Sequence, residues 1–72
     1  MEKKDLLKII GKNIQNERKK QGLTQETFAE FMNVSWSYVS KIEAGILNLS
    51  IGKICELANF LNVDVDLLLK TK

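Results

Sequence analysis

Seventy-two residues allow one domain, taken as residues 1–72, and the 44% hydrophobic and 28% charged composition is that of an ordinary soluble globular chain. One cysteine and no histidine exclude an internal disulfide and an ordinary zinc site, and no apolar run approaches the eighteen or so residues that a bilayer requires. The net charge of +2 is uneven, with seven Lys/Arg against three Asp/Glu in the first twenty residues and four against six in the rest, which permits nucleic acid as a partner without establishing it.

Periodicity predicts five helices and no strand, because apolar residues recur at intervals of three and four. The opening run Met1 to Leu6 leads into apolar residues broken by Lys8 and has no small-residue cleavage site, so no secretory signal is expected and the expected location is cytoplasmic. The first helix spans about Asp5 to Lys20, with Asp5 as N-cap, Leu6, Ile10 and Ile14 on one face, and Gly22 as the stop. Taken alone, its lysines read as a solvated face. The second begins at Thr24, whose hydroxyl can cap the next turn, and turns Phe28, Ala29 and Met32 inward. A cap at Ser35 starts the third, which carries Val39 and Ile42 inward and ends at Gly45. The fourth opens at Ser50 and is expected to bury Ile51, Ile54, Leu57, Ala58 and Leu61. Asp64 can cap the fifth, with Val65 and Leu68 facing the core. Cys55, beside core positions, reads as a packed and inert thiol.

The decisive local feature is the junction between the second and third helices. A tight corner there needs a residue at positive φ; Asn33, the type most tolerant of it after Gly, stands at that place. Val34 can plug the angle and Ala29 is small enough for close approach. This arrangement, over about residues 24–45, resembles the DNA-binding helix-turn-helix. "ERKKQGLTQETFA" at 17–29, "VSKIEAG" at 39–45 and "LANFLNVDVDLL" at 57–68 extend the resemblance to the phage-repressor and Cro-type (XRE) family.

That resemblance implies an all-α, five-helix, lambda-repressor-like domain that binds double-stranded DNA operators as a homodimer and regulates transcription. It puts Ser35, Trp36, Ser37 and Lys41 at the family's base-reading positions and Gln25 at the phosphate-contacting one, with Thr24, Tyr38 and Asn48 beside it in that role. On the residues alone, Thr24 and Ser35 are also caps, Tyr38 is also helix surface, and Lys41 also serves solubility. Trp36 can meet a thymine methyl, pack on Phe31, or face a neighbouring subunit, since an indole offers one donor and no bidentate pattern. The resemblance pairs Arg18 with Glu43 as an ion pair tying the first helix to the end of the third. On the division of roles it implies, Gln25→Ala should weaken binding to all sequences alike.

The sequence departs from the family after the third helix, where relatives commonly carry basic residues and this chain reads Ala44-Gly45-Ile46-Leu47-Asn48-Leu49-Ser50. Weaker phosphate contacts are expected from that loop. Ile46, Leu47 and Leu49, with Phe60, Leu67 and Leu69, form a candidate dimer surface. "NLSI" at 48–51 resembles the small controller proteins of restriction-modification systems, which dimerise through their last helices. No nucleophile with a base and no Gly-rich phosphate loop is present, so neither an enzyme nor a cofactor is expected. The competing reading is a protein-binding adaptor or antitoxin-like partner that keeps the fold but uses the apolar surface.

Overall fold

Short polar side chains set the helix starts. In the computed structural model, which describes residues 1–71, the hydroxyls of Thr24, Ser35 and Ser50 accept from the amides of Thr27, Tyr38 and Lys53 at 3.0, 3.0 and 3.1 Å. Each satisfies an amide that the helix itself leaves unpaired. The helices that follow are α2 (Gln25–Met32), α3 (Trp36–Ala44) and α4 (Ile51–Leu61), preceded by α1 (Lys3–Lys20) and followed by α5 (Val65–Leu69). No strand occurs among the described residues.

Four helix ends share one construction. Gly22, Asn33, Gly45 and Asn62 adopt φ of 76°, 59°, 75° and 59°. The amide of the next residue then reaches back to the helix: Leu23 to Arg18 O, Val34 to Ala29 O, Ile46 to Lys41 O and Val63 to Ala58 O, at 2.9–3.2 Å. This closure satisfies terminal carbonyls and normally tucks an apolar residue under the last turn. Leu23, Val34 and Val63 do pack against the core, whereas Ile46 is 69% exposed. The corners "MNVS" at 32–35 and "LNVD" at 61–64 are thus the same device used twice, a repetition that the sequence reading overlooked.

The core is Ile10 and Ile14 of α1, Phe28, Ala29 and Met32 of α2, Val39 and Ile42 of α3, Ile54, Leu57, Ala58 and Leu61 of α4, and Leu68 of α5. Burial of each large aliphatic or aromatic side chain contributes about 1.5–3 kcal/mol. α1 packs on α3, α4 and α5, so it is the central strut against which the α2–α3 corner is fixed. Gly11 makes the α1–α3 contact close: a Cβ there would lie 2.7 Å from the carbonyl oxygen of Glu43 and nearer still to that of Ile42.

Three expectations need correction. Asp5 does not cap α1: the helix begins two residues earlier with Glu2 at the cap, and the Asp5 carboxylate instead accepts from the Glu2 amide at 3.3 Å. Leu6 is half-buried against the cluster that holds Ile10 and Ile14, as expected, and Leu7 is buried as well. Ile51 is 81% exposed, because it lies in the first turn of α4, ahead of the Ile54–Leu61 stripe that meets the core. Cys55 is exposed, about 100° round the helix from Ile54, so its thiol is not packed. No helix is long and apolar enough to cross a membrane among the described residues.

Candidate nucleic-acid interface

The α2–α3 corner leaves the first turn of α3 projecting from the body. Asn33 in the left-handed region ends α2, Ser35 caps α3, and Trp36, Ser37, Ser40 and Lys41 are exposed along one side of it. Val39 and Ile42 hold the opposite side in the core. A helix supported along one edge, with small polar groups and one indole at its free end, has the dimensions to enter a major groove.

A chain of hydrogen bonds runs from the strut to that free end. Arg18 Nε and Nη2 donate to Glu43 Oε2 and Oε1 at 2.6 and 3.1 Å, and Arg18 Nη1 donates to the Leu23 carbonyl at 2.6 Å. The two side chains are only 7% and 2% exposed. Gln25 Nε2 donates to Glu43 Oε1 at 2.9 Å, and Gln25 Oε1 accepts from Trp36 Nε1 at 3.0 Å. The amide orientation is chemically forced, since a carboxylate can only accept and an indole can only donate. Trp36 is therefore fixed from its edge while its ring stays 57% exposed.

Thr24 and Ser35 are exposed and use their hydroxyls as caps. Tyr38 is half-buried against the core, with the Lys53 ammonium 5.8 Å from its ring centre. The Glu56 carboxylate, which bonds Lys53, raises the pKa of that ammonium above its ordinary value. Asn48 is exposed in the loop before α4, and Lys41 takes part in none of the ion pairs among the described residues. Ile46 and Leu69 are exposed, whereas Leu47, Leu49, Phe60 and Leu67 are half-buried. Phe31 is not a support for Trp36: its ring meets Phe60 edge-on, 5.3 Å between centroids.

Sequence reasoning missed two polar positions that hold this frame, Asn13 and Gln21, and the tie made by a third. Gln25 bridges Glu43 and Trp36 instead of standing free. Asn13 Nδ2 donates to the carbonyls of Leu68 and Lys70 at 2.8 Å each, tying α5 to the middle of α1. Gln21 Nε2 donates to the Leu61 carbonyl at 2.6 Å, tying the end of α4 to the end of α1. Nothing in the local pattern around Asn13 or Gln21 marks a partner forty or more residues away.

The profile of the helix-turn-helix family matches residues 14–68 of the chain. No curated protein sequence gives a significant match. Among solved structures, the hypothetical transcription factor NHTF from Neisseria superposes with a TM-score of 0.84 at 27% identity, over 97% of this chain and 80% of that one. The restriction-modification controller protein C.AhdI from Aeromonas hydrophila superposes with a TM-score of 0.76 at 36% identity, over 89% of this chain and 96% of that one. An HTH_3-family transcriptional regulator from Vibrio cholerae gives a TM-score of 0.82 at 22% identity; this chain spans only 38% of its length, and the likeness bears on the fold alone.

Proposed function

The chain belongs to the HTH_3 helix-turn-helix family of XRE-type DNA-binding transcription regulators, and from that premise we propose that it reads a specific operator in the major groove as a homodimer. The observation that carries this reading is the projecting start of α3, capped by Ser35 and wired through Trp36, Gln25 and Glu43 to Arg18. Ser35, Trp36, Ser37 and Lys41 read base edges. The N-terminus of α2 at Gln25 binds phosphate, because helix N-termini offer unpaired amides and a positive dipole end, and Thr24, Tyr38 and Asn48 share the phosphate-contacting role. Two copies joined across Ile46, Leu69 and the half-buried Leu47, Leu49, Phe60 and Leu67 would set their α3 helices about one helical turn, roughly 34 Å, apart. The 36% identity to a restriction-modification controller supports a role of that kind.

Selection of bound duplexes from a random pool at about 150 mM salt tests this reading. A two-fold symmetric consensus is expected. Absence of any enrichment would favour the protein-binding alternative, for which exposed Ile46 and Ile51 and the uncharged loop are the supporting features.

Trp36→Ala and Ser37→Ala are expected to change the preferred sequence. Gln25→Ala carries a revised expectation. Because its amide holds the indole, the substitution should weaken binding to every sequence and also blur the preference at the base step that Trp36 addresses. Affinities of the three variants for the selected duplex and its single-base mutants separate these effects; a uniform loss on all duplexes for all three would refute the assigned roles.

A further inference from the structure

We propose that Lys8 and Lys12 form a second phosphate-contacting edge of the interface, replacing the cations that the loop after α3 lacks. The proposal rests on the DNA-binding reading above. A helix lying in the major groove is flanked by two sugar-phosphate strands. The N-terminus of α2 serves one. The other faces the C-terminal end of α3 and the loop beyond it, and from Gly45 to Gly52 the chain has no Lys or Arg.

The structure brings cations to that end from α1. A Cβ built on Gly45 would lie 2.6 Å from Lys8 Cα and 2.7 Å from Lys8 Cγ, so the Lys8 side chain sets out directly across the end of α3. That approach requires Gly at 45 twice over, for its φ of 75° and for the space. Lys12 follows one turn later, and the two line a shallow groove of about 360 Å³ with Asn16 and Lys70. The ion pairs among the described residues engage Arg18, Lys20 and Lys53, so Lys8 and Lys12 have no carboxylate of their own. Both are exposed. An exposed pair of lysines one turn apart, the first of them crossing the end of a groove-reading helix, is what a phosphate backbone recognises, and each contact releases counterions and steepens the salt dependence.

The test is the affinity of the parent and of Lys8→Gln, Lys12→Gln and Lys20→Gln for the selected duplex from about 50 to about 200 mM salt. Lys20, already paired with Glu17 at 3.2 Å, is the charge-matched control. Lys8→Gln and Lys12→Gln are each expected to shrink the slope of log affinity against log salt by about 0.9, with no change in base preference, while Lys20→Gln leaves the slope intact. A Lys8→Gln protein that keeps the full slope but melts earlier would overturn the proposal and assign Lys8 to the C-terminal dipole of α3. Equal slopes for Lys8→Gln and Lys20→Gln would overturn it as well. A parent that binds no duplex would instead remove the DNA reading, a distinct failure.

Discussion

Arg18→Ala is expected to destabilise the fold by about 3 kcal/mol, which for a chain of this size lowers Tm by roughly 15 °C. The loss does not come from the pair's attraction alone. Without the guanidinium, Glu43 keeps a carboxylate that is 2% exposed and has only Gln25 to donate to it, and the Leu23 carbonyl loses its side-chain donor. Leaving one charge of a buried pair without its partner is what makes the substitution severe; replacing both partners with apolar residues of similar volume is often neutral. Arg18→Met with Glu43→Leu should therefore recover most of the stability while still releasing Gln25 and Trp36, so sequence preference changes on a folded protein. Thermal melts of the single and double variants measure the first effect and duplex binding the second. Arg18→Ala melting within a degree or two of the parent would refute the pairing account.

Gly11→Ala is the second large effect, and its sign is the point at issue. In the middle of a helix, Ala for Gly ordinarily stabilises by about 1 kcal/mol. Here the new methyl would meet backbone, 2.7 Å from Glu43 O and 3.0 Å from Glu43 C, with Ile42 O closer than either. Backbone cannot rotate aside as a long side chain can, so α1 and α3 must separate. Forced overpacking of this kind costs about 1–3 kcal/mol, and here near or above the upper end because the contact is with main chain; the net expectation is a loss of about 2 kcal/mol. Gly52 supplies the contrast. Its nearest neighbour is Ser50 Oγ at 3.9 Å, so Gly52→Ala should stabilise by about 0.5–1 kcal/mol. If both alanine variants melt above the parent, the close approach at Gly11 is not what the packing distances imply.

These two predictions mark where sequence reading works and where it stops. The corner was legible because its causes are local: a hydroxyl at Thr24 or Ser35 caps the next turn whatever lies beyond, and Asn33 tolerates positive φ more readily than most residues. The buried stripes of α2 and α3 follow from periodicity for the same reason. Gly11 gives no such signal, since its requirement is set by a carbonyl about thirty residues away. Ile51 and Cys55 were misplaced because periodicity identifies a helix face but not how far along the helix the core extends. For the candidate interface, motif positions named Gln25 and Trp36 separately. Only the fold shows that one side chain holds the other.

The repeated corner also bears on time. Its closing bonds span five residues, as do the equivalents that follow α1 and α3, and the hydroxyl caps at the starts of α2, α3 and α4 span three. Such contacts form without a long search through chain conformations, and helical bundles dominated by them complete folding in microseconds to milliseconds. Synthesis at about 5–20 residues per second is far slower. The domain thus folds far faster than it is made, and in the proposed dimeric regulator the delay before action would be set by how quickly two copies meet and find their site. A control circuit built on such a chain would respond to its concentration rather than to its maturation.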